Sequence, residues 1–132
     1  MIAGSCLCGG IRYEIRGPIH QMQNCHCGMC RKAHGAAFAT YAGVNPRDVV
    51  FTQGAELIAR YASSAAAERS FCSRCGSNLL FSPNASPDEA WIAVGGFDSD
   101  PQQRAGFHIY VGSKASWFEI TDDLTQYPVE NE

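Results

Sequence analysis

The sequence has little charge, no long apolar run and no basic stretch. The last two of these shortages each exclude a class of protein. Charged residues make up 17% of the 132 residues, and the formal net charge is -3. The longest basic run is Arg31-Lys32, so the clustered positive charge of nucleic-acid-binding proteins is missing. No apolar stretch approaches the roughly 18 to 20 residues that cross a bilayer. We therefore expect neither a nucleic acid nor a membrane as partner.

The start of the chain, MIAGSCLCGG, also lacks the charged region and the apolar core of a secretory signal. We therefore expect a cytoplasmic protein, in a compartment that keeps thiols reduced. Seven cysteines are many for such a chain. Clustered cysteines in a reducing compartment are more often metal ligands or redox groups than disulfides, and the odd number prevents complete pairing.

The pattern of the chain predicts one mainly β domain. A chain of 132 residues is long enough for one ordinary hydrophobic core. The clearest strand is GIRYEIRG, in which Ile11, Tyr13 and Ile15 alternate with charged residues. No long helical period competes, so we expect only short helical turns. Further strands are predicted in AAFATYAGV, VVFTQG, ELIARYA, SNLLF, AWIAVGGF and FHIYVG, and helical turns after Cys27, at NPRDV and at SKASWF.

The end of the chain differs in composition from the rest. Residues 122–132 carry four acidic residues and no basic one. We expect this tail to lie over the surface or to fray, beside a core of residues 5–124, within a single domain of residues 1–132.

The seven cysteines fall into three groups that have the spacing of metal ligands. Residues i and i+2 of an extended chain point to the same face, so a Cys-x-Cys pair can aim two sulfurs at one ion. In Cys-x-x-Cys-Gly, a tight turn brings both thiolates together, and the glycine lets the backbone turn back beside them. The groups are Cys6-x-Cys8, Cys25-x-Cys27-x-x-Cys30 and Cys72-x-x-Cys75.

Seven ligands divide into four and three. Structural zinc takes four protein ligands, whereas catalytic zinc keeps about three and leaves one position for water or substrate. The local run of three can cap an ion by itself, and the two distant pairs can then close a four-sulfur site. Such a closed site removes chain entropy and stabilises a small domain. We predict a structural zinc on Cys6, Cys8, Cys72 and Cys75, and an open, catalytic-type zinc on Cys25, Cys27 and Cys30.

Other arrangements remain open on the residues alone. The outer pairs could be free thiols or a disulfide, and four thiolates also suit iron. The central run could form a disulfide from Cys25 or Cys27 to Cys30, or it could hold a second structural metal completed by a histidine.

The histidines give a weaker signal than the cysteines. His26 alternates with two cysteines, so in extended chain it should point away from their metal. His34 and His108 are candidates for an acid–base group or a fourth ligand, although a lone histidine in a strand is more often a packing residue.

Four segments of the chain are similar to those of one known family. They read GSCLCGGIRYEI, NCHCGMCRKAHGAAF, FCSRCGSNLLF and HIYVGSKASWFEITDDL, and they span Ser5 to about Leu124. The chain resembles the glutathione-dependent formaldehyde-activating enzyme family, which also includes centromere protein V. The resemblance implies a mainly β, Mss4-like fold, with the same division into a structural zinc and a labile, catalytic-type zinc.

The resemblance also implies an activity. The named reaction is condensation of glutathione with formaldehyde to S-(hydroxymethyl)glutathione, a carbon-sulfur lyase reaction run backwards. An open zinc position would lower the pKa of a bound thiol and hold it beside the small electrophile. Glutathione carries two carboxylates, and the basic residues nearest the family motifs are Arg31, Lys32, Arg74 and Lys114.

Three hypotheses about function follow. The first is a zinc-dependent enzyme acting on a thiol adduct, with glutathione and formaldehyde as partners. The second is a binding or structural module in which both metals only hold the fold. The third is a thiol-based redox or metal sensor that uses the central cysteines as a switch.

Overall fold

A computed structural model describes residues 1–130 of the chain, and these residues form two β-sheets with one short helix. The mainly β fold class predicted from the sequence is confirmed. The strands are β1 (Ile2–Ser5), β2 (Arg12–Ile15), β3 (Gln21–Cys25), β4 (Ala39–Val44), β5 (Val49–Gln53), β6 (Ile58–Ser64), β7 (Ala67–Cys72), β8 (Asn78–Pro83), β9 (Ala90–Ala93), β10 (Phe107–Ile109) and β11 (Thr125–Gln126), and the helix is α1 (Gly28–His34).

The smaller sheet has the strand order β1-β2-β5, and its pairs are antiparallel. The larger sheet has the order β11-β10-β3-β4-β9-β8-β7-β6. Its pairs are antiparallel except at β10, which runs parallel to both β3 and β11. Within the described residues, no helix is long and apolar enough to cross a membrane.

The larger sheet has two unlike faces, because successive residues of a strand point to opposite sides. One face packs against the smaller sheet and forms the main core. The other face carries a second cluster of apolar and aromatic side chains. The main core includes Ile11, Tyr13, Ile15, Met22, Ala42, Val44 and Ile92, and the second cluster includes Cys25, Cys30, Tyr41, Phe81, Trp91 and Ile109.

Four strands were not predicted from the sequence, β1, β3, β7 and β11, and two of them, β3 and β7, carry residues of the second face. Gln21 and Gln23 of β3 and Arg69 of β7 point to this face. Polar residues at inward positions remove the alternation that marks a half-buried strand, so QMQNC and AERSFC do not read as strands. The predicted strand AWIAVGGF is also shorter than expected, because the chain turns into a 3-10 segment at Val94–Gly96.

Short helical segments form at two of the three predicted places. The predicted turn after Cys27 is α1, two turns long. Pro46–Asp48 form a 3-10 turn, and the Asn45 side chain accepts a hydrogen bond from the backbone N–H of Arg47. At SKASWF the chain forms a turn at Ser116-Trp117, and the 3-10 segment Val111–Ser113 overlaps only the first residue of this stretch.

The C-terminal segment lies along β10 and is tied there by hydrogen bonds that join two buried histidines to an exposed aspartate. His26 is fully buried, and its Nε2 lies 2.8 Å from Nδ1 of His108. His108 Nε2 lies 3.0 Å from the Asp122 carboxylate. Because an ionised carboxylate only accepts, His108 Nε2 donates to Asp122. The backbone N–H of Tyr127 also donates to the carbonyl of His108. Residues 131 and 132 of the predicted tail lie outside the described residues.

We expect Asp122→Ala to lower the urea midpoint of unfolding. Desolvation raises the pKa of Asp122, but hydrogen bonds from His108 and from the backbone N–H of Leu124 together outweigh it, so the pKa is lowered. A carboxylate whose pKa is lowered on folding contributes stability above its unfolded pKa, about 3.9, so the measurement is made at pH 7.5. The neighbouring exposed Asp123→Ala is the control and should unfold at the wild-type midpoint. Equal midpoints for both variants would contradict a tethering role for Asp122.

Candidate metal centres

Four cysteines from the two sheets converge on one point, and we call them the four-cysteine cluster. Their sulfur atoms lie within 4.8 Å of one another, with Cys6 to Cys8 at 3.5 Å and Cys8 to Cys72 at 3.9 Å. Cys6 and Cys8 follow β1, whereas Cys72 ends β7 and Cys75 closes the turn into β8. The cluster therefore joins the smaller sheet to the larger one.

Backbone N–H groups and neighbouring side chains surround these sulfurs. The N–H of Ile11 donates to Cys6 at 3.2 Å, and the N–H groups of Arg74 and Cys75 donate to Cys72 at 3.4 Å. The Arg74 guanidinium lowers the pKa of Cys8. Hydrogen bonds from Ser77 lower the pKa of Cys75 to about 5. The contacts of Cys8 and Cys75 favour thiolates, the form in which cysteine binds a metal, whereas burial raises the pKa of Cys6.

The four-cysteine cluster fits a tetrahedral metal ion. Zinc–sulfur bonds of about 2.3 Å place the sulfurs of a tetrahedral site about 3.8 Å apart. The observed separations of 3.5 and 3.9 Å bracket that value. The cysteines are all free thiols, so no disulfide competes for them among the described residues. The cluster could therefore hold a metal ion, with zinc as the ion that suits the donor set.

A second group, which we call the three-cysteine cluster, lies where β3 meets α1. Cys25 ends β3, Cys27 is the N-cap of α1, and Cys30 lies in its first turn. The Cys27 sulfur accepts the backbone N–H of Cys30 at 3.3 Å, and the Cys25 and Cys30 sulfurs are 3.2 Å apart. The three sulfurs lie within 4.8 Å of one another. A strand end and a helix start thus gather three ligands from six consecutive residues.

The three thiols of this cluster do not ionise alike. Hydrogen bonds from Cys25 and then from Cys30 lower the pKa of Cys27 to about 2. The same contacts, with burial, raise the pKa of Cys25. The contacts within the cluster therefore favour the ionised form of Cys27 over that of Cys25. A dication would allow all three sulfurs to ionise, which is the usual effect of a metal on cysteine ligands.

The histidines lie outside both clusters. Each cluster consists of cysteines alone within the described residues. His26 is buried against His108, as expected for a residue that points away from its neighbours' sulfurs. His34 ends α1, and its Nε2 lies 3.0 Å from the Tyr41 hydroxyl. Within the described residues, the three-cysteine cluster therefore offers three ligand atoms to a metal ion, and no histidine adds a fourth.

A cavity of about 580 Å³ opens at the three-cysteine cluster, on the second face of the larger sheet. This volume lies within the usual range of small-molecule sites. Its wall is aromatic near the sheet, where the ring of Trp91 lies against the backbone of Gly43. A Cβ at that glycine would lie 2.8 Å from the ring. The cavity is lined by the three cysteines and by Tyr41, Phe81, Trp91 and Tyr110, with Glu89 and Glu130 also in its wall.

Arg69 is a site residue that sequence reasoning missed. It is the one basic side chain in the cavity wall formed by the described residues, and only 6% of its surface is exposed. Its guanidinium donates to the Tyr41 hydroxyl at 2.8 Å and to the Cys30 sulfur at 3.7 Å, and it lies 4.9 Å from the centre of the Phe81 ring. The sequence offered one indication of its position, because Arg69 lies three residues before Cys72, on the strand that ends at that cysteine.

The basic residues chosen from the sequence lie elsewhere, because none of them is among the residues that line the cavity. Arg31 donates to the backbone carbonyls of His26 and Ser113. Lys114 donates to the carbonyls of Ala115 and Phe118. Lys32 is exposed on α1. Arg74 lies beside Cys8 in the four-cysteine cluster. Contacts of these residues with glutathione stay a prediction.

Comparison with known proteins agrees with the cysteine framework. The model of the glutathione-dependent formaldehyde-activating enzyme family matches residues 1–113, a range that contains all seven cysteines. The chain belongs to this family.

Two named relatives and one solved structure are similar to this chain. A Halomonas elongata protein, provisionally named a glutathione-dependent formaldehyde-activating enzyme, is 30% identical over 128 residues, which cover 91% of this chain and 81% of the relative. An uncharacterized lyase of Schizosaccharomyces pombe is 33% identical over 78 residues, or 59% of this chain and 55% of the lyase. The crystal structure of a Rhodobacter sphaeroides protein superposes with a TM-score of 0.61 at 25% identity, covering 74% of this chain and 89% of that one.

We expect Cys72→Ser and Cys27→Ser to have different effects on this protein. Metal binding at a closed structural site contributes on the order of 10 kcal/mol to folding, comparable to the whole stability of a domain. Cys72→Ser should therefore unfold the protein at 25 °C. Cys27→Ser should keep the fold and one of two zinc ions. Zinc analysis of the reduced proteins, together with urea unfolding, measures both effects. A folded Cys72→Ser or an unfolded Cys27→Ser protein would reverse the assignment of the two clusters.

Proposed function

We propose that the protein is a zinc-dependent, carbon-sulfur lyase-type enzyme acting on the adduct of a thiol and a small aldehyde. S-(hydroxymethyl)glutathione, formed from glutathione and formaldehyde, is the proposed substrate. The observation that carries this proposal is the three-cysteine cluster in the wall of the cavity, with three protein ligands and space beside them. The family and the names of the relatives support the same reaction class.

The proposed roles of the two clusters differ. The four-cysteine cluster holds a structural zinc that joins the sheets. Cys25, Cys27 and Cys30 hold the catalytic-type zinc, which when bound supplies an electrophilic position that favours the thiolate form of a substrate thiol. The aromatic wall around them limits the water that reaches the reacting atoms.

The reaction itself is a simple addition. A thiolate sulfur forms a bond to the carbonyl carbon of the aldehyde, the π electron pair moves to the oxygen, and the oxygen takes a proton from solvent. The reverse direction removes that proton and breaks the carbon–sulfur bond, as a lyase does. The enzyme gains rate by holding the two reactants side by side, which avoids the entropy cost of their encounter.

We expect the enzyme to accelerate exchange between glutathione, formaldehyde and their adduct, and Cys27→Ser to reduce that rate to the spontaneous background. The serine hydroxyl does not replace the thiolate ligand, so the catalytic-type zinc is lost while the other zinc stays. Exchange rates from two-dimensional NMR at fixed glutathione and formaldehyde concentrations measure the effect.

The control is Arg60→Gln, on the exposed edge strand β6, which should exchange at the wild-type rate. A wild-type protein with both metals bound but no acceleration over background would exclude this reaction and favour the binding-module hypothesis. Zinc release with disulfide formation under dilute peroxide would favour the sensor hypothesis.

The carboxylates of glutathione are proposed to contact Arg31 and Lys32, which lie on α1, and Lys114, which follows β10. Lys32 tests this best, because it is exposed and makes no backbone contact that its removal would disturb. We expect Lys32→Ala to weaken glutathione binding by about two- to fivefold, the usual size of an exposed ion pair. Binding of 2-mercaptoethanol, which has no carboxylate, should not change. Calorimetric titration of both thiols measures this, with exposed Arg47→Ala as the control. Equal affinities for glutathione in Lys32→Ala and wild type would remove Lys32 from the site.

A further inference from the structure

Arg69 is a nearly buried cation that pairs with no carboxylate of the described residues. Only 6% of its surface is exposed. Among the described residues, the ion pairs of arginine join Arg16 to Glu14, Arg60 to Glu68 and Arg104 to Asp100, and Arg69 takes part in none of them. A buried charge is costly unless a counter-charge or a full set of hydrogen bonds compensates it. The compensation for Arg69 must therefore come from the groups that it faces.

The groups around Arg69 hold it rigidly at the three-cysteine cluster. Its Nη1 donates to the Tyr41 hydroxyl at 2.8 Å, and that hydroxyl lies 3.0 Å from His34 Nε2. Burial, followed by the charge of Arg69, lowers the pKa of His34, so this ring is neutral at pH 7. Its Nε2 can then accept a hydrogen bond from the Tyr41 hydroxyl. The guanidinium carbon of Arg69 lies over the Phe81 ring, 4.9 Å from the ring centre. These contacts fix the direction of the guanidinium.

The remaining contact of Arg69 points at the metal-binding sulfurs. Nη2 lies 3.7 Å from the Cys30 sulfur, and the residue lines the same cavity as all three cysteines. Three thiolates around a dication leave one net negative charge, which the single positive charge of Arg69 offsets. Without Arg69, an anionic fourth ligand would bring the charge of the centre to minus two. Such crowding of like charge is unfavourable beside Cys25 and Cys30, which are both buried.

We propose that Arg69 is the counter-charge that lets the three-cysteine centre accept an anionic fourth ligand, so that the cavity favours thiolates over neutral ligands of similar size. This inference rests on the proposed function, since it needs a metal at the three-cysteine cluster. It extends that function by assigning a selectivity to the site. Arg69 acts here as a positioning and charge-compensating residue, and no bond to it forms or breaks.

The test compares an anionic and a neutral ligand on the zinc-loaded protein. 2-Mercaptoethanol binds zinc as its thiolate, whereas imidazole binds as a neutral molecule. We expect Arg69→Gln to weaken mercaptoethanol binding by about 10- to 100-fold, the effect of removing a hydrogen-bonded charge from beside an ion. Imidazole binding should change little. Calorimetric titration gives both affinities, and the sulfur-to-cobalt absorption band of the cobalt-substituted protein reports thiolate binding independently.

Two variants separate charge from packing. Arg69→Lys keeps the charge but lacks the planar fork, and it should retain at least a tenth of the wild-type affinity for mercaptoethanol. Arg60→Gln, on the neighbouring strand and exposed, should bind both ligands as the wild type does. If Arg69→Gln fails to keep both zinc ions, Arg69→Lys decides: a fall of more than tenfold in mercaptoethanol affinity, with imidazole affinity unchanged, would overturn the proposal, because the positive charge is still present in that variant.

The outcomes are distinguishable from failure of the proposed function. A wild-type protein that binds neither ligand at the three-cysteine cluster has no open metal position, which would overturn the proposed function and this inference together. If the wild type binds both ligands and Arg69→Gln binds mercaptoethanol equally well, only this inference is wrong. Equal weakening of mercaptoethanol and imidazole in Arg69→Gln would likewise overturn it, since charge selectivity would then be absent.

Discussion

The closure of the four-cysteine cluster is the constraint on which the rest of the molecule depends. Cys6 and Cys8 lie just after the first strand of the smaller sheet, and Cys72 and Cys75 lie at a turn of the larger one. Four sulfurs within 4.8 Å of each other would repel one another as thiolates, and a cation held among them would turn this repulsion into a cross-link. Such a cross-link would fix the two sheets together, with the main core between them.

The same strand that supplies a ligand to this cross-link also supplies the wall of the cavity. β7 carries Arg69 on the open face of the larger sheet and ends at Cys72. Across the sheet, Arg69 lies opposite Phe81, which lies opposite Trp91, which lies opposite Gly43. The floor of the cavity is therefore a row of residues paired in register. Its shape depends on the pairing of four strands rather than on a flexible loop.

The sequence carried enough information for the cysteines and too little for their surroundings. Ligand spacing is local, so Cys25, Cys27 and Cys30 could be grouped from chain order, and counting then divided the seven into the two sets that the fold brings together. Arg69 and Tyr41 meet only through sheet pairing, which spacing does not reveal. β3 and β7 were missed for a related reason, because the polar residues facing a cavity interrupt the alternation by which a strand is recognised.

The floor and the rim of the cavity come from different kinds of structure. The floor is strand residues paired in register, whereas Ser86, Glu89 and Glu130 of the rim lie in the β8–β9 connection and beyond β11. Connections tolerate substitution and insertion far better than paired strands do. Proteins built on this plan can thus diverge in the molecules they admit while the metal ligands stay unchanged, and laboratory evolution of a new specificity would begin at those three rim positions.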